Sequence, residues 1–106
     1  MGKLIAAIDH EGKRYYMEWS TVSDGPTTDG MPLADFLAYY KEEYGAAGLR
    51  DVAERIERAD KHGTSAVDGS TLADLVSVNH AGPRGGRLTL KGIIKRFIVP
   101  NIGAKQ

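Results

Sequence analysis

Lys3-Leu4-Ile5-Ala6-Ala7-Ile8, then Asp9-His10-Glu11-Gly12, then Lys13-Arg14-Tyr15-Tyr16-Met17-Glu18-Trp19-Ser20-Thr21 sets the architecture. Two runs rich in β-formers flank a short polar stretch that ends in Gly. Gly supplies the positive φ that lets an antiparallel pair rejoin, so residues 3–8 and 13–21 are expected to form a β-hairpin. Side chains alternate across a strand. Tyr15, Met17 and Trp19 therefore share one face, and Arg14, Tyr16, Glu18 and Ser20 share the other. The first face is expected to be the buried one. A lone hairpin is marginal in water, so other elements must cover it.

Outward from the hairpin, Ser23-Asp24-Gly25-Pro26-Thr27-Thr28-Asp29-Gly30 has the composition of a loop. Leu33, Phe36, Leu37, Tyr40 and Tyr44 then recur at helical spacing, with Pro32 suited to the first turn and Gly45 to the end. Residues 49–61 repeat the pattern with Leu49, Val52, Ala53 and Ile56 inward. The Asp51/Arg55 and Glu54/Arg58 pairs on its outer face have the favoured i, i+4 order, and Gly63 is its stop. Thr71-x-x-Asp74 resembles a capping arrangement for a short helix to about His80. Thr89 caps a last helix with Ile93, Ile94 and Phe97 inward, ended by Pro100. The expected fold is α+β: an N-terminal antiparallel β-hairpin packed on one face by about four short helices. Residues 1–100 are expected to form a single small domain, with 101–106 a frayed tail.

The chain has 106 residues and no cysteine. That excludes disulfides, thiolate nucleophiles and the common structural zinc sites. The longest apolar run, Leu4–Ile8, is far short of the roughly 20 residues that span a bilayer. A cytoplasmic protein without membrane contact is the expectation. Fourteen basic and fourteen acidic residues cancel, but they are segregated. Residues 1–74 hold eight basic groups and all fourteen acids; residues 75–106 hold six basic groups and no acid. A molecule charged in this way can meet different partners at its two ends.

Two sets of residues carry candidate binding chemistry. Arg84 and Arg87 lie on a Gly-rich loop, and Lys91, Lys95 and Arg96 follow on the last helix. Cations grouped in this way suit a nucleic-acid phosphate or an acidic partner protein. The alternative is a solvated face, or one that packs on the acids of helix 49–61. The second set is hydroxyl- and carboxylate-rich: Ser20, Thr21, Asp24 and Thr27 leave a strand, where binding loops often sit, and Thr64 and Ser65 can add to them. These residues also suit side-chain-to-backbone turns and caps. Tyr39 beside Glu42 is a candidate protein-contact anchor. His10, His62 and His80 are dispersed, so no metal or cofactor is expected. The Ser-elbow, Walker and dinucleotide glycine motifs are absent, which leans against an enzyme. The edges of a two-stranded sheet leave a homodimer open.

Gly12-Lys13-x-Tyr15-Tyr16-x-Glu18-Trp19-Ser20-Thr21, Asp24-x-Pro26, Gly30-Met31-x-Leu33, Tyr39-Tyr40-x-Glu42-Glu43-Tyr44-Gly45 and Gly63-Thr64-Ser65 together resemble a group of small phage and prophage accessory proteins. The resemblance covers most of residues 12–98. It implies a phage origin and a protein that binds and modulates or inhibits a host protein or ribonucleoprotein complex, such as a CRISPR effector or other defence machinery. It carries over no catalytic or binding residue.

Overall fold

In the computed structural model, which describes residues 3–100, β1 (Lys3–His10) and β2 (Lys13–Ser20) form the expected hairpin. Their turn is only Glu11-Gly12. Both residues have positive φ, 51° and 79°, as a two-residue primed turn requires. The antiparallel register pairs Ile5 with Glu18, Ala6 with Met17 and Ile8 with Tyr15. Part of the expected loop forms a third strand, β3 (Gly25–Pro26), which pairs with Trp19 and Ser20 in the sheet order β1-β2-β3.

Both outer edges of the hairpin are already paired. At β2, Tyr16 and Met31 exchange backbone hydrogen bonds of 2.7 and 2.8 Å. At β1, the Ala7 N–H donates to the Gly63 carbonyl and the Ser65 N–H to the Ile5 carbonyl, each at 2.9 Å. The edge positions from which a second copy would add a strand are thus occupied around Ile5–Ala7 and Tyr16–Ser20.

The sheet is buried on both faces, which corrects the expectation of helices on one face only. Ala6, Ile8, Tyr15, Met17 and Trp19 pack with Leu75, Ile93 and Ile98, from α2 (Leu72–Ser77) and the region of α3 (Leu90–Phe97). Ile5, Ala7 and Tyr16 pack on the other side with Phe36, Tyr40, Val52 and Ala59 of α1 (Leu33–His62). The alternation along each strand holds, but its second face is apolar as well. Tyr16 contributes its ring there, 6.0 Å from that of Phe36.

Two expected helices form the single element α1, interrupted at Gly45 (φ 70°, ψ −167°). Gly45 makes a kink rather than a stop, because the chain resumes helix directly after it. Leu33 and Tyr44, expected inward, are about 40% exposed, at 41% and 40%. Among the described residues there are three α-helices, rather than about four, and a 3-10 turn at Pro83–Gly85. The expected Asp51–Arg55 and Glu54–Arg58 pairs do not form. Arg55 donates to the Lys3 carbonyl at 2.7 Å and Arg58 to the Ser65 carbonyl at 2.9 Å, stitching α1 to the β1 edge. Gly63 ends α1 in the left-handed region, as read from the sequence. Thr71 and Asp74 form a reciprocal capping box, and Thr89 accepts from the Gly92 N–H. The expected frayed tail, residues 101–106, lies outside the described residues.

A sheet covered on both faces makes a specific demand on stability. Ile5 (0% exposed) and Ile8 (1%) point to opposite faces. Ile5→Ala and Ile8→Ala are each expected to cost about 2–5 kcal/mol in urea unfolding. A near-neutral result for either would mean that its face is open to solvent.

Candidate functional site

Arg84, Arg87, Lys91, Lys95 and Arg96 are held on one layer by a defined scaffold. Ile93, Ile98 and the half-buried Ile94 and Phe97 turn toward the sheet, which leaves Lys91 and Lys95 exposed one helical turn apart. Gly30 allows this docking. Its N–H donates to the Phe97 carbonyl at 2.7 Å, and a Cβ there would lie 2.6 Å from Ile98 Cγ1.

Asn79 organises the loop before α3. It is 2% exposed, and its side chain makes four hydrogen bonds. Nδ2 donates to the Val76 and Leu88 carbonyls at 2.6 and 2.8 Å. Oδ1 accepts from the Ala81 and Leu88 N–H groups at 3.2 and 2.8 Å. One amide thus pairs both backbone groups of Leu88 and closes the segment between Asn79 and Leu88 as an adjacent strand would. Within it, Gly82 and Gly86 are bridged at 2.7 Å, and Arg84 sits in the left-handed region at φ 58°. The His80 N–H donates to the Asp24 carbonyl at 2.7 Å, bracing the loop on the turn before β3.

Arg87 donates to the Ser77 carbonyl at 2.8 Å, where it meets the negative end of α2. Arg96 donates to the Ala81 carbonyl at 3.1 Å, and its guanidinium carbon lies 5.8 Å from the Phe97 ring centroid. Among the described residues, none of Arg84, Arg87, Lys91, Lys95 and Arg96 is ion-paired. The side-chain pairs are Arg14 with Asp9 and Asp60, and His10 with Glu11. The acidic α1 covers the opposite face of the sheet, so internal neutralisation by helix 49–61 does not take place.

The hydroxyl-rich set is built into the fold. Ser20 Oγ accepts from the Val22 and Ser23 N–H groups at 3.2 and 3.1 Å. The Thr27 N–H donates to the Glu18 carbonyl, and Thr28 Oγ1 accepts from the Glu18 N–H. Thr64 Oγ1 bonds the Ser70 carbonyl and the Ala66 N–H, while Ser65 Oγ accepts from the Ile5 N–H at 2.8 Å. Asp24 (φ 55°) turns the chain before β3. Ser20–Thr28 therefore works at the β2 edge and Thr64–Ser65 at the β1 edge. Thr21 shares a hollow with the segment after Ser65, lined there by Ala66, Asp68 and Ser70.

A further cluster was not read from the sequence. Glu18 is 2% exposed and faces α1. Its two carboxylate oxygens accept from the Tyr39 and Tyr44 hydroxyls, and among the described residues no cation pairs with it. Tyr39 is thus half-buried and turned inward rather than outward as a contact anchor. Burial, then the bond to Glu18, raises the affinity of both phenols for their protons. Burial and the bond to Asp60 push Tyr16 up to about 12. Beside this cluster a groove of about 590 Å³ opens at the Gly45 kink, lined by Lys3, Tyr40, Tyr44, Asp51 and Arg55. The Glu18 contacts with Tyr39 and Tyr44 join residues 21 and 26 positions apart, so local pattern carries no signal for the cluster.

Among the described residues, no group of three or more His, Asp or Glu side chains converges as a metal site, and no helix is long and apolar enough to cross a membrane. No family model, curated protein or solved structure matches the chain.

Asn79→Ala is expected to destabilise the fold by about 1–3 kcal/mol in urea, because it removes the partner of part-buried backbone groups of Ala81 and Leu88. No loss would mean that the loop closes without the amide. The tyrosines give a pH signature. An unfolded phenol ionises near 10, whereas Tyr16 in the fold holds its proton to about 12. A raised folded value gives stability that is complete below pH 10 and lost as pH rises through 12. Tyrosinate absorbance should therefore lag for Tyr16, Tyr39 and Tyr44 and appear with unfolding. Five phenols titrating together near 10 would contradict this.

Proposed function

We propose that the protein is a small binding protein that docks the cationic face of α3 and its leading loop onto the anionic surface of a macromolecular partner. One observation carries the reading: Arg84, Arg87, Lys91, Lys95 and Arg96 stand on one layer without an acid partner among the described residues. Cations left unpaired in a fold with fourteen acids are available to steer and hold an acidic surface. The Asn79 clamp supports the same reading, since it fixes the loop that presents Arg84 and lowers the ordering cost of binding.

The partner class comes from the resemblance of residues 12–98 to small phage and prophage accessory proteins. It favours a host protein or ribonucleoprotein complex that the protein modulates or inhibits, a defence complex included. Such a role requires binding alone and no turnover. Direct capture of nucleic acid by the same cations is the competing reading.

A pull-down from host lysate, with and without nuclease, separates the two. Retention of a partner after nuclease at about 50 mM salt, abolished by the Arg84→Glu/Lys91→Glu/Lys95→Glu variant, is the expected result. Loss of all retained material on nuclease treatment would favour nucleic acid. No salt-sensitive partner in either arm would overturn the proposal.

A further inference from the structure

We infer that the apolar groove between α2 and α3 is a docking site for an acidic amphipathic helix of a partner protein. The inference rests on the cationic-face reading and adds the chemistry of the partner. The groove has a volume of about 430 Å³; Leu72, Ala73, Val76 and Ser77 of α2 form one wall and Leu90 of α3 the other. Leu90 is 39% exposed in a position where the same helix buries Ile93 completely. An apolar side chain kept at a helix start beside a groove gives a partner an anchor point.

Both walls are rigidly mounted. Leu75 fixes α2 in the core, and the Thr71–Asp74 capping box sets its start. Ile93, Ile98 and the Gly30 contact fix α3. The groove is therefore preformed, which reduces the entropy lost on binding.

Charge selects an acidic occupant. Arg87 bonds the carbonyl of Ser77, a lining residue, at 2.8 Å. Lys91 follows Leu90 directly, with Lys95 one turn on. The acid on α2, Asp74, is engaged by the Thr71 N–H at 2.9 Å in its own cap. No carboxylate is among the described residues that line the groove, and Arg87 and Lys91, next to the lining residues Ser77 and Leu90, set cations beside its apolar floor.

That combination favours protein over nucleic acid. A phosphate backbone satisfies the cations but gives Leu72, Val76 and Leu90 nothing to bury. Single-stranded bases need aromatic platforms, and the groove holds none. A helix with apolar residues at i, i+3 and i+7 and carboxylates alongside satisfies both surfaces at once.

NMR titration of the full chain tests this with three probes: a synthetic helical peptide carrying Leu at i, i+3 and i+7 among Glu residues, the same peptide with Ser for Leu, and a single-stranded DNA oligomer. The Leu peptide is expected to shift the amide signals of Ala73, Val76 and Leu90. It should bind at least about tenfold tighter than the Ser peptide, a difference of about 1.4 kcal/mol. Ala73→Glu puts a like charge at the exposed groove wall near an α2 N-terminus that tolerates it. It should weaken the Leu peptide about tenfold with an unchanged thermal midpoint. Lys91→Glu, at an exposed position, should weaken it as well. Equal binding of the two peptides, or shifts confined to other surfaces, overturns the inference. Binding of DNA but of neither peptide overturns it while leaving the cationic face standing as a nucleic-acid surface. Binding of none of the three overturns both readings.

Discussion

The β1–β2 ladder has no face that can be left to water, and the rest of the structure follows from that constraint. Ile5, Ala7 and Tyr16 on one side and Ala6, Ile8, Tyr15, Met17 and Trp19 on the other must each be covered. One helix long enough to run past the kink at Gly45 covers the first side. Two short helices cover the second, positioned by Gly30, by the capping residues Thr71 and Thr89, and by the Asn79 clamp. The edges close in the same manner, with residues 63–65 on β1 and β3 with Met31 on β2.

Much of this was legible from the sequence, and the failures share a physical cause. Strand periodicity, the Gly12 turn, the Gly63 stop and the caps at Thr71 and Thr89 are local signals, and the structure uses each one. The second apolar face was read as outward because Arg14, Glu18 and Ser20 occupy it. Only Arg14 near the hairpin turn behaves as that reading implies, pairing with Asp9 and Asp60. Glu18 is buried because hydroxyls from Tyr39 and Tyr44 satisfy both of its oxygens, and Ser20 because its hydroxyl closes a turn. A polar residue marks a solvent-facing position only while its partner is water. When distant residues supply the hydrogen bonds, alternation still reports the pleat but no longer reports exposure. The arginines of α1 misled for a related reason. Arg55 and Arg58 were legible as helix-surface pairs, yet backbone carbonyls at the β1 edge claim them.

The candidate site was legible as composition and not as geometry. The count of cations after residue 80 is plain in the sequence. Their separation from the acids of α1 depends on α1 and α3 lying on opposite faces of one sheet, which in turn depends on Tyr16 being buried. Asn79, the residue that shapes the loop, carries no sequence signal beyond being an amide near three glycines and a proline. The hydroxyls of Ser20, Thr64 and Ser65 show the reverse: conspicuous in sequence, they hold strand edges and turns in the fold.

The central claim is that the sheet keeps the cationic layer apart from the acids of α1, and that no other acid pairs with it among the described residues, so that its charge is spare. The stability of the Lys91→Gln/Lys95→Gln variant in urea tests that claim most directly. Exposed cations that pair with nothing inside the molecule contribute little to the fold, and removing them relieves their mutual repulsion. The account predicts stability unchanged to within about 0.5 kcal/mol, or slightly raised. A loss greater than about 1 kcal/mol, on the scale of a measurable ion pair, would show that these lysines are engaged within the protein and would contradict it.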